Sequence, residues 1–190
     1  MTTLKIFQQY PALLNQLIEI QPLFQQILDM TGINRLNLQI DHIALRVNDV
    51  EMAKQWQACF AEEATLLSNN EINGRPIYLY ELEKPLLILG QEVRVVELPF
   101  PNEKNYPQQG WEHIEFVLPF ITDETIEQWF ARIETLLAPV TERIILKKSC
   151  HKAVGEGLPN PAVAIKLADK SNFATIKLHP YAIKQIVMSE

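Results

Sequence analysis

The 190-residue chain is 47% hydrophobic and 21% charged with mean hydropathy close to zero, a composition that excludes a disordered tail protein. Seventeen Lys and Arg against 23 Asp and Glu give a net charge of -6, so the basic footprint of a nucleic-acid binder is missing and a small-molecule partner is expected. Two cysteines, Cys59 and Cys150, cannot build a disulfide framework, no apolar run reaches membrane-spanning length, and Met1-Thr2-Thr3-Leu4-Lys5 lacks the plan of a signal peptide, so a cytoplasmic location is expected.

From Leu13 to Leu28, apolar residues recur at helical spacing with Pro22 in their midst. This predicts two amphipathic helices, the second started by Pro22 and ended by Gly32. The period then changes. Leu38 to Val47 reads as a strand, Asn48 and Asp49 offer helix caps, and Met52, Trp56, Cys59 and Phe60 share a helical face. Asn73-Gly74 marks a hairpin turn between a strand near Thr65 to Asn70 and one at Ile77 to Leu82, and a further strand runs from Val93 to Leu98.

The same βαβββ order then returns. Gly110 to Leu118 is a strand, and Thr122 and Asp123 offer caps to a helix carrying Ile126, Trp129, Phe130, Ile133 and Leu137. Strands follow near Ile144 to Lys148, Val163 to Leu167 and Ala174 to His179. Asp41-His42-Ile43 returns as Glu112-His113-Ile114, and Gln55-Trp56 returns as Gln128-Trp129 at nearly the same offset, which argues for a duplicated module. The expected fold is α+β. Two βαβββ modules, residues 36–101 and 110–190, form curved mixed sheets around a shared cleft, preceded by a helical hairpin, residues 1–35, packed on one edge.

Alternation on the first strand of each module turns Ile43, Leu45 and Val47, like Ile114, Phe116 and Leu118, toward the helices. His42 and His113 then share the other face with Arg46 and Glu115. On the last strands, Ile176 and Leu178 take the helix side, which leaves Thr175, Lys177 and His179 opposite, and Glu97 sits in the apolar run Val95-Val96-Glu97-Leu98. If the two sheets face one another, His42, Glu97 and His113 converge on a divalent cation: zinc, nickel, manganese or iron. Taken singly, each His reads as a hydrogen-bonded structural residue; their equivalent positions in two modules favour the metal.

These residues resemble the vicinal oxygen chelate superfamily of glyoxalases, epimerases and ring-cleaving dioxygenases, and within it the YecM family is more similar. The resemblance rests on Asp41-His42-Ile43, Ile72-Asn73-Gly74-Arg75-Pro76, Val96-Glu97-Leu98-Pro99, Glu103-Lys104, Tyr106-Pro107, Gly110-Trp111-Glu112-His113-Ile114-Glu115, Leu158-Pro159-Asn160-Pro161 and Thr175-Ile176-Lys177. It implies a metal-binding protein. It also implies a fourth ligand, a Glu on the last strand of the second module, where this chain has Lys177, and a protonated Lys cannot ligate a metal. Three arrangements stay open: His179 supplies the ligand, the site is a two-His-one-carboxylate triad, or Lys177 is a counter-ion to Glu97 in the cation's place.

The reaction expected is isomerase or lyase chemistry on a small oxygen-bearing substrate, with oxygenase chemistry open. Glu115 and Lys177 are the catalytic candidates, and Arg46 and Arg75 the contacts for an anionic substrate. The rival expectation is a small-molecule-binding protein that has lost its metal. Cys150-His151 is not a dyad, because neighbours on an extended chain point apart, and Cys59 belongs to the core. Pro99 to Gly110 reads as the connection between the modules, with a place at the border of the cleft as the alternative. A monomer is favoured over a dimer, with no nucleic-acid or membrane partner.

Overall fold

A computed structural model describes residues 4–72, 74–150 and 157–189, in which the alternation read along each strand becomes the two faces of one sheet. The first half holds β1 (Ile40–Arg46), α3 (Val50–Ala61), β2 (Ala64–Ser68), the short β3 (Glu71–Ile72), β4 (Arg75–Ile88) and β5 (Gln91–Pro99). The second holds β6 (Gly110–Val117), α4 (Ile126–Leu137), β7 (Ile144–Cys150), β8 (Pro161–Leu167) and β9 (Thr175–His179). The strands join in the order β2-β4-β5-β1-β6-β9-β8-β7, with β3 paired to β4. The two modular sheets therefore meet edge to edge: β1 pairs antiparallel with β6, and β5 and β9 run parallel to them on either side. A pseudo-twofold through the pair Ile43 and Ile114 exchanges the halves.

The core lies on one face of this sheet, where Ile43, Leu45, Ile114, Phe116, Ile176 and Leu178 meet Trp56 and Phe60 of α3 and Trp129 and Ile133 of α4. Asp49 caps α3 by accepting from the Met52 N–H at 2.8 Å. For α4 the cap is Thr125, not Thr122 or Asp123: Thr125 and Gln128 form a reciprocal capping box, whereas Asp123 adopts a left-handed φ of 63°.

The N-terminal segment differs from the expectation in two respects. A short α1 (Lys5–Gln9) is followed by one continuous α2 (Pro11–Thr31) with Pro22 inside it. The ring of Pro22 is exposed, so the helix sacrifices one backbone bond at its surface while Leu17, Ile20, Phe24, Ile27 and Leu28 stay buried. Nor does α2 sit on an edge. It crosses the helix-bearing face against β6, β8 and β9, held by Trp111 Nε1 donating to the Leu13 carbonyl at 2.9 Å and Asn172 Nδ2 donating to the Leu23 carbonyl at 3.0 Å. Gly110, at φ 111°, allows the approach, because a Cβ there would stand 1.7 Å from Gln16 Oε1.

A last helix, α5 (Ile183–Val187), was not expected; five residues are too few to show a period. It packs on the opposite face, where Ile183 and Ile186 meet Leu79 and Val95. Among the described residues, no helix is long and apolar enough to cross a membrane. Asn73 of the expected turn and His151 of the Cys150-His151 pair lie outside the described residues. Because Pro22 breaks the ladder of α2 at an exposed position, Pro22→Ala is expected to raise the unfolding free energy by about 1–3 kcal/mol, read by urea denaturation.

Candidate metal centre

β1 and β6 pair out of step twice, and both irregularities shape the site. Between Ile40 and His42 the first strand spends two residues against one, and between His113 and Trp111 the second does the same. The extra residues are Asp41 and Glu112, each placed by a β-bulge directly before a histidine. A bulge re-aims a side chain that regular pleating would send to the other face. Asp41 Oδ2 thus reaches His42 Nδ1 at 2.8 Å, and Glu112 Oε2 contacts His113 Nδ1 in the same way.

With both Nδ1 atoms held, the two Nε2 atoms point into the cleft. Neither has a hydrogen-bond partner among the described residues, although His42 is 1% and His113 4% exposed. Glu115 Oε1 lies 3.2 Å from His113 Nε2 and 3.5 Å from His42 Nε2. Glu97 approaches from β5, 3.7 Å from His42 Nε2 and 3.9 Å from His113 Nε2. One ligand atom from each of His42, Glu97, His113 and Glu115 lies within 4.8 Å of the others. Two imidazole nitrogens and two carboxylates form a donor set suited to a divalent cation, and the stranded nitrogens are the atoms such an ion would satisfy. The residues fit a metal.

The remaining expected site residues fall around this group. Lys177 pairs with Glu115 at 2.7 Å, so its carboxylate partner in contact is Glu115 and not Glu97. His179 borders the four without joining them, with Nε2 3.3 Å from Asp41 Oδ2 and Nδ1 3.7 Å from Glu115 Oε2; with Asp41 and His42 it makes a second, smaller group of ligand type. Arg46 binds Glu112 at 2.9 Å and lies over the Tyr106 ring, 3.7 Å from its centroid. Arg75 lines the cleft, its Nη1 3.4 Å from the Phe100 carbonyl. Sequence alone does not mark Asp41, Glu112 and Tyr106 as site residues, although the acid-His-Ile repeat is the available sign of the first two.

The cleft has a volume of about 690 Å³. Burial disfavours the charged forms of Asp41, Glu112 and Glu115, yet charge pairing wins. Asp41 is held well below the usual carboxylate range by His179 and His42, Glu112 by His113 and Arg46, and Glu115 by Lys177 and His42. Burial likewise works against charged His42, but Glu115 and Asp41 push its pKa up to about 10. Lys177 is raised too, as Glu115 and Glu97 outweigh its desolvation.

A family model described as YecM protein matches residues 9–190. The chain belongs to the YecM family. Protein YecM of Escherichia coli is 42% identical over 162 residues, 84% of this chain and 82% of its own length. An uncharacterized protein of Haemophilus influenzae is 46% identical over 148 residues, 77% of either chain. A solved structure described as Structural Genomics, Protein EC4020 shares 35% identity and superposes with a TM-score of 0.83, covering 100% of this chain and 97% of that one. The doubled βαβββ architecture is thus set in a YecM-family chain that carries a possible metal-binding cluster.

In metal-free protein the depressed acids contribute stability that is present above their unfolded pKa near 4.5 and is lost as pH falls. His42, raised from 6.5, contributes stability that is full below 6.5 and is lost as pH rises toward about 10. Denaturant midpoints of chelator-treated protein are therefore expected to peak between about pH 4.5 and 6.5. A midpoint still climbing from pH 7 to 9 would contradict this charge pairing.

Proposed function

We propose that this YecM-family protein is a metal-dependent enzyme acting on a small oxygen-bearing substrate in the cleft, with isomerase or lyase chemistry. The observation that carries the reading is the pair of buried histidines, each fixed at Nδ1 by the preceding acid and each with an unsatisfied Nε2 facing Glu97 and Glu115. Acid partners of this kind set the tautomer and aim of metal-ligating histidines. Charge supports the same reading. Glu112 is paired with Arg46 and Lys166 and Glu115 with Lys177, whereas the ion-pair partners of Asp41 and Glu97 among the described residues are histidines, which leaves carboxylate charge to offset a bound cation.

His42, Glu97, His113 and Glu115 would hold the ion, which when bound supplies a Lewis acid to polarise a substrate oxygen. Lys177 keeps its proton at Nζ and holds Glu115 Oε1 in place. This ion pair, 2.7 Å long, sets a fixed positive group beside the substrate, where it stabilises negative charge developing on a substrate oxygen, as isomerase or lyase chemistry requires. The presence of two carboxylates beside the histidines, where the oxygenase triad uses one, points the same way. The pseudo-twofold explains why Lys177 does not empty the site: Glu97 opposite Ala44 corresponds to Lys177 opposite Glu115, so the second carboxylate has moved one strand over.

The Lys177–Glu115 ion pair also favours a second reading, a small-molecule-binding protein without metal, since the ammonium already neutralises one carboxylate. Calorimetric titration of zinc, manganese and ferrous iron separates the two. Wild type is expected to take up one ion, Asp41→Asn or Glu112→Gln to weaken binding about 10- to 100-fold, and His42→Ala or His113→Ala to abolish it. The exchange Glu115→Ala with Lys177→Glu returns the carboxylate to the equivalent strand and is expected to retain binding. Wild type that binds no cation, beside a Lys177→Glu variant that does, would establish the second reading instead.

A further inference from the structure

The two halves of the cleft differ in a consistent way. In the first half, Glu81 and Leu79 of β4 face Val95 and Glu97 of β5. In the second, Ala164 of β8 faces Lys177 of β9, and the same register carries Lys166 to Thr175. The pseudo-twofold thus exchanges Leu79 for Ala164, Val95 for Thr175 and Glu81 for Lys166. The bulky first half is covered: α5 sets Ile183 and Ile186 on Leu79 and Val95, Lys184 pairs with Glu81, and the Ile183 N–H donates to Asp41 at 2.9 Å.

The second half carries no such cover among the described residues. Ala162 and Ala164 leave a low floor, and Lys147, opposite Ala164 on β7, lines the same open cleft with Lys166. Charge is unspent here. Arg46 and Lys177 are committed to Glu112 and Glu115, whereas Lys166, 44% exposed, stands 3.9 Å from Glu112, and Lys147 has no carboxylate partner among the described residues. Lys147, with no carboxylate partner among the described residues, and Lys166, held only by a 3.9 Å contact to a Glu112 already bound by Arg46, line this small-residue floor together in a chain whose net charge is -6.

We propose that this open half is an anion subsite, in which Lys147 and Lys166 bind a phosphate or carboxylate of the substrate. β8 and β7 lie two and three strands from β6, at about 4.8 Å per strand, so the anionic group binds to one side of the histidine cluster, toward the β7 edge of the sheet. The substrate class is a small organic acid or phosphate ester with its oxygen-bearing reactive end at the other terminus. The position of that reactive end rests on the metal reading above; the anion subsite does not.

Amide shifts of isotope-labelled protein, freed of metal by dialysis, are followed on titration with inorganic phosphate and, separately, acetate. Saturable shifts are expected on β7 and β8, and Lys147→Ala with Lys166→Ala is expected to raise the Kd tenfold or more while zinc affinity, measured on the same preparations, stays unchanged. Preference for phosphate identifies a phosphate ester, and equal or better acetate binding a carboxylic acid; either supports the subsite. Shifts that do not saturate, that map elsewhere, or that survive the double substitution overturn it. Phosphate binding that is intact in protein unable to bind zinc would count against the metal reading alone.

Discussion

Regular pleating sends neighbouring side chains of a strand to opposite faces, so an acid directly before a histidine does not normally touch its ring. The site of this protein depends on breaking that rule once in each half. The bulges at Asp41 and Glu112 put acid and histidine on one face, and both fall in the seam where β1 and β6 join the two modules. A single constraint therefore joins the halves of the sheet, fixes two imidazole rings and directs two nitrogens at the same space. Had the strands paired without bulges, the acids would have been driven into the apolar face beside Trp56 and Trp129, where an unpaired carboxylate costs several kcal/mol.

The repetition of elements was legible because it is carried by period and by repeated residues. Alternation placed Ile43, Ile114, Ile176 and Leu178 beneath the helices and His42, His113, Glu115 and Lys177 opposite, and the strands follow it. What alternation cannot show is a change of its own phase, so Asp41 and Glu112 were unreadable as supports. Nor can it show which strands become neighbours: that Glu115 stands within 3.5 Å of His42 follows from the β1–β6 pairing, not from its place two residues beyond His113. Pro22 misled for a related reason. Local chemistry marked a helix start, but burial of Phe24 and Ile27 against the sheet outweighs one missing hydrogen bond.

Duplication explains the architecture, and departures from it give the cleft its character. The halves share a histidine at the same place, yet one presents Glu97 where the other presents Lys177, and one presents Ala44 where the other presents Glu115. The same divergence makes one half apolar and covered by α5 and the other small, basic and open. A symmetric cleft would hold a ligand in either of two orientations; this one presents different side chains at its two ends, and the proposed anion subsite lies at the β8 and β7 end.

The central claim is that the bulge-held histidines, with Glu97 and Glu115, form one cation site. Anomalous diffraction from crystals grown with manganese or zinc tests it most directly. A single strong peak bounded by His42 Nε2, His113 Nε2, Glu97 and Glu115 is the result predicted. A peak confined to the Asp41–His42–His179 group, or no peak with Lys177 Nζ occupying the space between the two imidazoles, would contradict it.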